Sequence, residues 1–360
     1  MTSPDGSGTP GRPGGPGPGP AGDRGVPAGP AADAEYTVVV ATLGRDCLAD
    51  CLRALAAAEG PPPREVVVVD DRPLPWPALP LAAAGALRTR VRTLTTWGHG
   101  PAAARNAGLR TAGTPWVVFL DDDVRVRGDW GHALAADLTT APARTAGVQG
   151  RLRVPLPAHR RPTDWERGTA GLEHAAWATA DMAYRVRALE EVGGFDERFR
   201  RAFREDADVA LRVQDAGWTL RTGSRVTYHP VRAVDRWVSL RAQRGNADDA
   251  LMARLHGPGW WARARAPRGR LPAHLVVTGA AVAAPVLAVT GRRGAAAVAG
   301  ALWVLGTAEF ARARIAPGPR TTAEVSTMLC TSVLIPPLAV GHRLAGLVRH
   351  RGAMAWRGAR

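Results

Sequence analysis

Three consecutive carboxylates, Asp121, Asp122 and Asp123, follow directly on the apolar run Trp116 to Leu120 in "TPWVVFLDDDVRVRGDW". Adjacent like charges repel and raise one another's pKa, so such a cluster is a solvated turn or it faces something positive. A hard divalent cation is one such partner; it takes oxygen ligands, often only one or two carboxylates, and keeps waters. A second acid pair, Asp70 and Asp71, ends the run "REVVVVDD". A third cluster, Glu205, Asp206 and Asp208, opens the pattern "FREDADVALRVQDAGW". A carboxylate there can take the proton of an attacking hydroxyl, or it can favour a helix N-terminus. Asp206 is the first choice for the proton, with Glu205 and Asp208 as alternatives. His229, in "RVTYHPVR", is a metal ligand, a diphosphate contact or a structural histidine. These residue types suit metal-assisted group transfer, in which a cation neutralises a leaving group and a base deprotonates the attacker.

Chemistry of this kind needs its residues at the rim of a rigid scaffold. "YTVVVATLGR" and "REVVVVDDRP" predict buried strands, "ALRTRVRTLTT" a weaker one and "PWVVFLDDD" a fourth. Between them, Cys47, Leu48, Cys51, Leu52 and Leu55 form one apolar face of a helix with Asp46 as N-cap and Gly60 as terminator. "GPAAARNAGLRTAG" is a second helix with Pro101 in its first turn. Alternating strands and helices predict right-handed crossovers and a mostly parallel sheet. Ligands of such sheets sit beyond the carboxyl ends of the strands, so both acid-ended strands should open into one crevice. "AGVQGRLRVP" and "RVTYHPVR" predict further strands, and the stretch after Glu205 another helix. "GSGTPG", Gly6 to Gly11, matches a dinucleotide fingerprint formally, but no strand precedes it and no helix follows.

The chain has 360 residues, with 47 basic residues, all arginine, against 32 acids and a formal charge of +15. Its arginines are scattered, and only three tyrosines and five phenylalanines are present for base stacking, which argues against nucleic acid as a partner. An anionic lipid surface accounts for the charge better. Cys47, Cys51 and Cys330 have no metal-ligand spacing, and the first two read as small apolar residues on a helix.

In order, "TVVVATLGR", "EVVVVDD", "GPAAARNAGL", "WVVFLDDDVRV", "ADMAYRVRALEEVGGFDERF" and "REDADVALRVQDAGW" resemble the family 2 glycosyltransferases over about residues 36–230. Each block is common alone; the ordered series is specific. The resemblance implies a GT-A fold, a Rossmann-like, mostly parallel mixed sheet with flanking helices, and sugar transfer with inversion from a nucleotide diphosphate sugar. It places Ala41, Thr42, Arg45, Asp71 and Asp70 in the pocket for the base. Arg105 falls near the diphosphate, Asp122 near the ribose or sugar, and Asp123 as the direct ligand of a cation, Mn2+ or Mg2+; beside the resemblance, the chemistry offers Asp121 as the second flanking acid and leaves His229 open as a further ligand. Asp206 matches the catalytic base. The family's common Pro-Thr-Tyr-Asn opening is Ala41-Thr42-Leu43-Gly44 here, so an aromatic that could stack on the base is missing and the base stays open.

After residue 270 the composition changes. Residues 271–290 form a charge-free run of spanning length, and 294–308 a shorter one, separated by Gly291-Arg292-Arg293 and together predicting a transmembrane hairpin. A third run, 325–341, contains Pro336-Pro337 and leads into an arginine-rich tail, which predicts a broken, re-entrant or interfacial segment. Soluble alanine-rich helices packed on the domain are the alternative. The expected organisation is a disordered Gly/Pro-rich tail (1–34), the glycosyltransferase domain (35–255), a basic linker (256–270), a membrane-associated helical region (271–348) and a basic tail (349–360). The functional expectation is a cell-membrane enzyme whose catalytic domain faces the cytoplasm, acting on a lipid-linked or glycan acceptor. A catalytically inactive nucleotide- or glycan-binding membrane protein and a nucleotidyltransferase are the competing readings. The latter usually uses a lysine on the phosphates, and this chain has none.

Overall fold

The computed structural model describes residues 34–356; the expected disordered tail, apart from Ala34, and the Gly6–Gly11 match lie outside them. The chain opens with β1 (Tyr36–Thr42), α1 (Cys47–Ala57) and β2 (Glu65–Asp70). A 3-10 segment broken at Gly85 leads into β3 (Val91–Thr95), then α2 (Pro101–Leu109), β4 (Trp116–Asp121) and the two-residue β5 (Arg125–Val126). The next elements are α3 (Trp130–Thr139), β6 (Thr145–Arg153), α4 (Asp164–Ala170), β7 (Asp181–Arg185), α5 (Val186–Glu191), α6 (Glu205–Asp215) and β8 (Thr219–Tyr228). Six helices follow: α7 (Val238–Ala242), α8 (Gly245–His256), α9 (Trp260–Arg263), α10 (Leu271–Val289), α11 (Arg293–Ile315) and α12 (Thr322–Arg349).

One eight-stranded sheet has the order β3-β2-β1-β4-β7-β6-β8-β5. Its first four strands are parallel, while β7 runs antiparallel to both β4 and β6. Successive side chains of a strand point to opposite faces, and here both faces are covered. Val38, Val66, Val118 and Leu120 pack with Leu48, Leu52 and Trp130 on one side. Val39, Val67, Val117 and Phe119 pack with Ala104, Leu189 and Val209 on the other. This two-sided burial explains why the strands read as unbroken apolar runs. The order reverses between β1 and β4, so their carboxyl ends bound a crevice of the kind that binds ligands in open α/β sheets.

Strand β7 was not expected as a strand, and β8 begins earlier than its apolar half suggests. Both depend on a buried ionic cluster. Arg225 on β8 is fully buried and donates from Nε to Asp181 Oδ1 on β7 at 2.8 Å and from Nη1 to Asp137 Oδ2 on α3 at 3.1 Å. Asp181 also accepts from Trp130 Nε1 at 2.9 Å and Thr227 Oγ1 at 2.6 Å. A Cβ at Gly150 would lie 2.2 Å from Asp181 Oδ2, so the glycine makes room for the carboxylate. Removing one partner of a buried pair leaves the other charge poorly compensated. Asp181→Ala should therefore destabilise the chain by about 3–5 kcal/mol. Thermal unfolding in detergent beside the wild type measures this, and a change inside the error of the method would refute the role given to the cluster.

Asp46 occupies the N-cap position of α1, but its side chain makes no capping bond. Cys51 is buried and Cys47 half-buried, both as free thiols. The stretch expected as a basic linker is packed: Trp260 and Ala264 join Phe199, Leu211 and Leu255 in a third apolar cluster.

Helices α10, α11 and α12 are each long and apolar enough to cross a membrane. The hairpin of α10 and α11 exposes Val282, Val289, Val298 and Leu305, an apolar surface that water does not suit. The break expected at Pro336-Pro337 is absent, and α12 runs unbroken through both prolines. Each proline removes one helical hydrogen bond. Burial of Ile335, Pro336 and Ala339 and anchoring of both helix ends offset that loss. At one end Glu324 Oε1 accepts from Asp164 N at 2.8 Å, and at the other a Cβ on Gly346 would lie 2.6 Å from Ala247 Cα of α8. These contacts, about 33 Å apart at 1.5 Å per residue, lay α12 along the sheet domain.

Candidate active site

The three consecutive acids at the end of β4 point to three different sets of partners. Asp121 Oδ1 accepts from Arg105 Nη2 at 2.8 Å. Asp122 turns towards β1, where Thr42 Oγ1 donates to Oδ2 at 2.6 Å and Arg45 Nη1 to Oδ1 at 3.2 Å. Asp123 lies 2.9 Å from Arg232 Nε and 3.4 Å from His229 Nε2. The parallel register that pairs Ala41 with both Val69 and Asp121 sets these strand ends level.

Asp121, Asp123 and His229 can each direct one ligand atom into a cluster whose members lie within 4.8 Å of one another. These donors fit a cation. Burial raises the Asp123 carboxyl above its ordinary range, and the charge of Asp121 adds to that, opposed by His229 and Arg232. Nδ1 of His229 is buried with no partner among the described residues. Two carboxylates and an imidazole suit a cation that accepts oxygen and nitrogen together.

The acids of the second strand end are engaged elsewhere. Asp70 accepts a bidentate pair from Arg72, at 2.8 and 2.6 Å, which holds its carboxyl low against the opposing effect of burial. Asp71 is buried and accepts from Thr96 Oγ1, His99 N and Gly100 N at 2.7, 2.8 and 2.8 Å. It therefore anchors the loop that enters α2. Gly100, at φ 96°, has the backbone conformation this turn requires. The structure gathers Thr42, Arg45 and Asp122 at one edge of the crevice and Asp121, Asp123 and His229 at the next. The carboxylate of Asp70 is occupied by Arg72 in its own loop, and that of Asp71 by the loop that enters α2.

On the far side of Asp121, the buried guanidinium of Arg105 bridges to Glu205 Oε1 at 2.7 Å, joining α2, β4 and the first turn of α6. Glu205 is 2% exposed and its Oε2 has no partner among the described residues. Burial pushes its carboxyl up to about 7, with Arg105 pulling down and Asp206 pushing further up. Asp208 is consumed by Arg212, at 2.9 and 2.6 Å, and by His256 Nε2 at 2.8 Å. Burial opposes its charge, and those two partners outweigh burial and hold the carboxyl low. Asp206 has only one hydrogen bond among the described residues, from Ala207 N at 2.7 Å. Burial raises its carboxyl although Ala207 N, Arg105 and Arg204 all oppose the shift. Of the three acids opening α6, Asp206 alone keeps a carboxylate without a cationic partner.

Sequence reasoning overlooked Arg232. Further along the same segment, Arg241 pairs with Asp235 and Arg236 stacks on Trp237. The available signal was position, since Arg232 stands three residues after His229 in the loop leaving β8.

Residues 37–208 match the family model described as glycosyl transferase family 2. The pre-mycofactocin glycosyltransferase of Mycobacterium tuberculosis (strain H37Rv) is 30% identical over 174 residues, covering 43% of this chain and 35% of the relative. The chain thus spans about a third of the length of the curated relatives it matches. Among solved structures, S. aureus TarS is 18% identical with a TM-score of 0.39, covering 63% of this chain and 41% of that one. GalNAc-T7 with UDP, GalNAc and Mn2+ is 16% identical with a TM-score of 0.43, covering 55% and 43%. At these TM-scores the structural likenesses bear on neither fold nor activity. The matched segment holds the crevice acids from Asp70 to Asp208 and excludes His229 and Arg232. From Thr37 to Asp208, just under half of its length, this chain matches glycosyl transferase family 2.

Proposed function

We propose that the chain transfers a sugar, with inversion, from a nucleotide diphosphate sugar to the hydroxyl of a lipid-linked or glycan acceptor at a membrane, using Mn2+ or Mg2+. The observation that carries this reading is the gathering of Asp121, Asp123 and His229 within 4.8 Å, inside the crevice of the family 2 domain. Asp121, Asp123 and His229 would hold the cation. The imidazole favours Mn2+ over Mg2+, which prefers oxygen ligands and retained water. When bound, a divalent cation would neutralise the charge that develops on the departing diphosphate. Thr42 and Arg45 fix the Asp122 carboxylate at the sugar-facing edge. Arg105 holds Asp121 in place and ties it to the helix carrying Asp206. Asp206 accepts the proton of the acceptor hydroxyl as that oxygen attacks. The apolar α10–α11 hairpin and α12 keep the domain at the membrane, with the domain on its cytoplasmic side.

The test is a donor panel on the full chain in detergent, with manganese or magnesium, reading released nucleotide diphosphate. Metal-dependent release from at least one nucleotide sugar is expected, with manganese more effective. Absence of both release and metal-dependent nucleotide binding across the panel would overturn the reading in favour of an inactive membrane protein.

A further inference from the structure

A groove of about 680 Å³ separates the catalytic domain from its C-terminal helices. The catalytic wall is built from α4 and the loop from residue 231 into α7, and the opposite wall from the end of α11 and the first half of α12. Trp165, Val234 and Val238 face Phe310, Met328 and Ile335 across it. Arg232 lines the groove and also contacts Asp123, so one side chain joins the groove to the acid cluster. Along α12 the lining runs from Glu324 to Ile335, about 16 Å at 1.5 Å per residue, roughly half the thickness of a bilayer's hydrocarbon core.

The groove's charges are largely neutralised. Asp164 pairs with Arg314, Glu166 with Arg160 and Asp235 with Arg241. Ser239, also in the lining, has a buried hydroxyl with no hydrogen-bond partner among the described residues. The site thus combines a set of apolar side chains with paired charges and a free hydroxyl, and Arg232 leads from it to the candidate metal ligands. Its helical wall belongs to segments apolar enough to enter a membrane.

We infer that this groove holds the single hydrocarbon chain of an amphiphilic acceptor whose hydroxylated head reaches Asp123 and Asp206. The inference rests on the glycosyl-transfer reading and names the class of acceptor for it. A water-soluble glycan has no use for the apolar side chains of Trp165, Val234, Val238, Phe310, Met328 and Ile335 that face one another here, and a bulk phospholipid would bring two chains and an anionic head.

Gly168, on α4, lines the groove, and a Cβ there meets nothing within 4 Å. Gly168→Phe therefore projects a ring into open space and does not strain the fold. Glucose and butyl, hexyl and octyl β-glucosides are titrated into the full chain in phosphatidylcholine nanodiscs, with empty nanodiscs as the reference. Affinity should rise roughly three- to fourfold per methylene as the chain is buried. Gly168→Phe should lower octyl glucoside affinity at least tenfold and flatten the dependence on chain length. Gly300→Phe, at an open position of α11 outside the groove, should change neither. Equal chain-length dependence in Gly168→Phe and wild type overturns the proposal, as does glucose binding as tightly as octyl glucoside. Binding of uridine diphosphate and thymidine diphosphate with manganese to the same samples separates the two readings. If these bind normally while Gly168→Phe has no effect, the groove assignment fails alone. If neither binds while Gly168→Phe still abolishes octyl glucoside binding, the groove stands and the transfer reading fails.

Discussion

Asp123→Ala should abolish metal-dependent nucleotide binding and reduce transfer by about three orders of magnitude, ~4 kcal/mol of transition-state stabilisation. Asp123 is buried between Asp121, His229 and Arg232, so the substitution removes one of the two carboxylates proposed to hold the cation, and a counter-charge. It also releases Arg232 from its 2.9 Å contact and leaves the imidazole without its acid. Two basic groups then face the place where a diphosphate would lie. Residual nucleotide affinity in the variant should therefore no longer respond to manganese and should fall steeply with salt, as binding by exposed charge does. Calorimetric titration of nucleotide diphosphate with and without manganese, beside turnover at saturating donor, gives both readouts. Undiminished transfer in Asp123→Ala, or in wild type with excess chelator, would rule out the metal mechanism.

Asp206→Asn should lower turnover by roughly two to four orders of magnitude while nucleotide diphosphate and manganese bind as in wild type. The amide keeps the size of the carboxylate and can still accept from Ala207 N, so the first turn of α6 is preserved. It cannot take a proton, and the loss should fall on kcat with little change in donor affinity. Glu205→Gln is the informative contrast. Glu205 Oε1 accepts from Arg105, which also holds Asp121, so neutralising it disturbs the orientation of a proposed metal ligand. That variant should raise the manganese requirement more than it lowers turnover at saturating metal. If Asp206→Asn instead loses nucleotide binding and keeps turnover at saturation, the base must be sought at Glu205, since Asp208 is closed off by Arg212 and His256.

Elements whose signal lies within a few residues were legible. Strands β1, β2 and β4 announce themselves as apolar runs because each is covered on both faces, and their terminal acids mark the crevice because parallel strands end on the same side. Helix α6 was legible from its acidic first turn. Strand β7 was not, because "DMAYR" carries Asp181 and Arg185 at its ends and no run of valines, and its place between β4 and β6 is set by partners far along the chain. The prolines of α12 pointed to a break because local propensity counts the lost hydrogen bonds, whereas the anchoring contacts of Glu324 and Gly346 come from residues more than 90 positions away.

The same division runs through the site. By itself the sequence determined which residue types were available and at which strand ends they would stand, since side-chain period and strand polarity are local properties. It placed Asp121 to Asp123 at one rim and Asp206 at the start of a helix. Only the tertiary structure decided which acids were free to act: Asp70 is filled by Arg72 beside it, Asp71 by the loop entering α2, Asp208 by Arg212 and His256, and Glu205 by Arg105, while Asp206 stays open. Only the tertiary structure brought His229 and Arg232 to Asp123, across more than a hundred residues and through the pairing of β8 with β6 and β5. Hydrogen bonds and ion pairs are satisfied by proximity in space, and a sheet that pairs distant segments makes that proximity independent of distance along the chain.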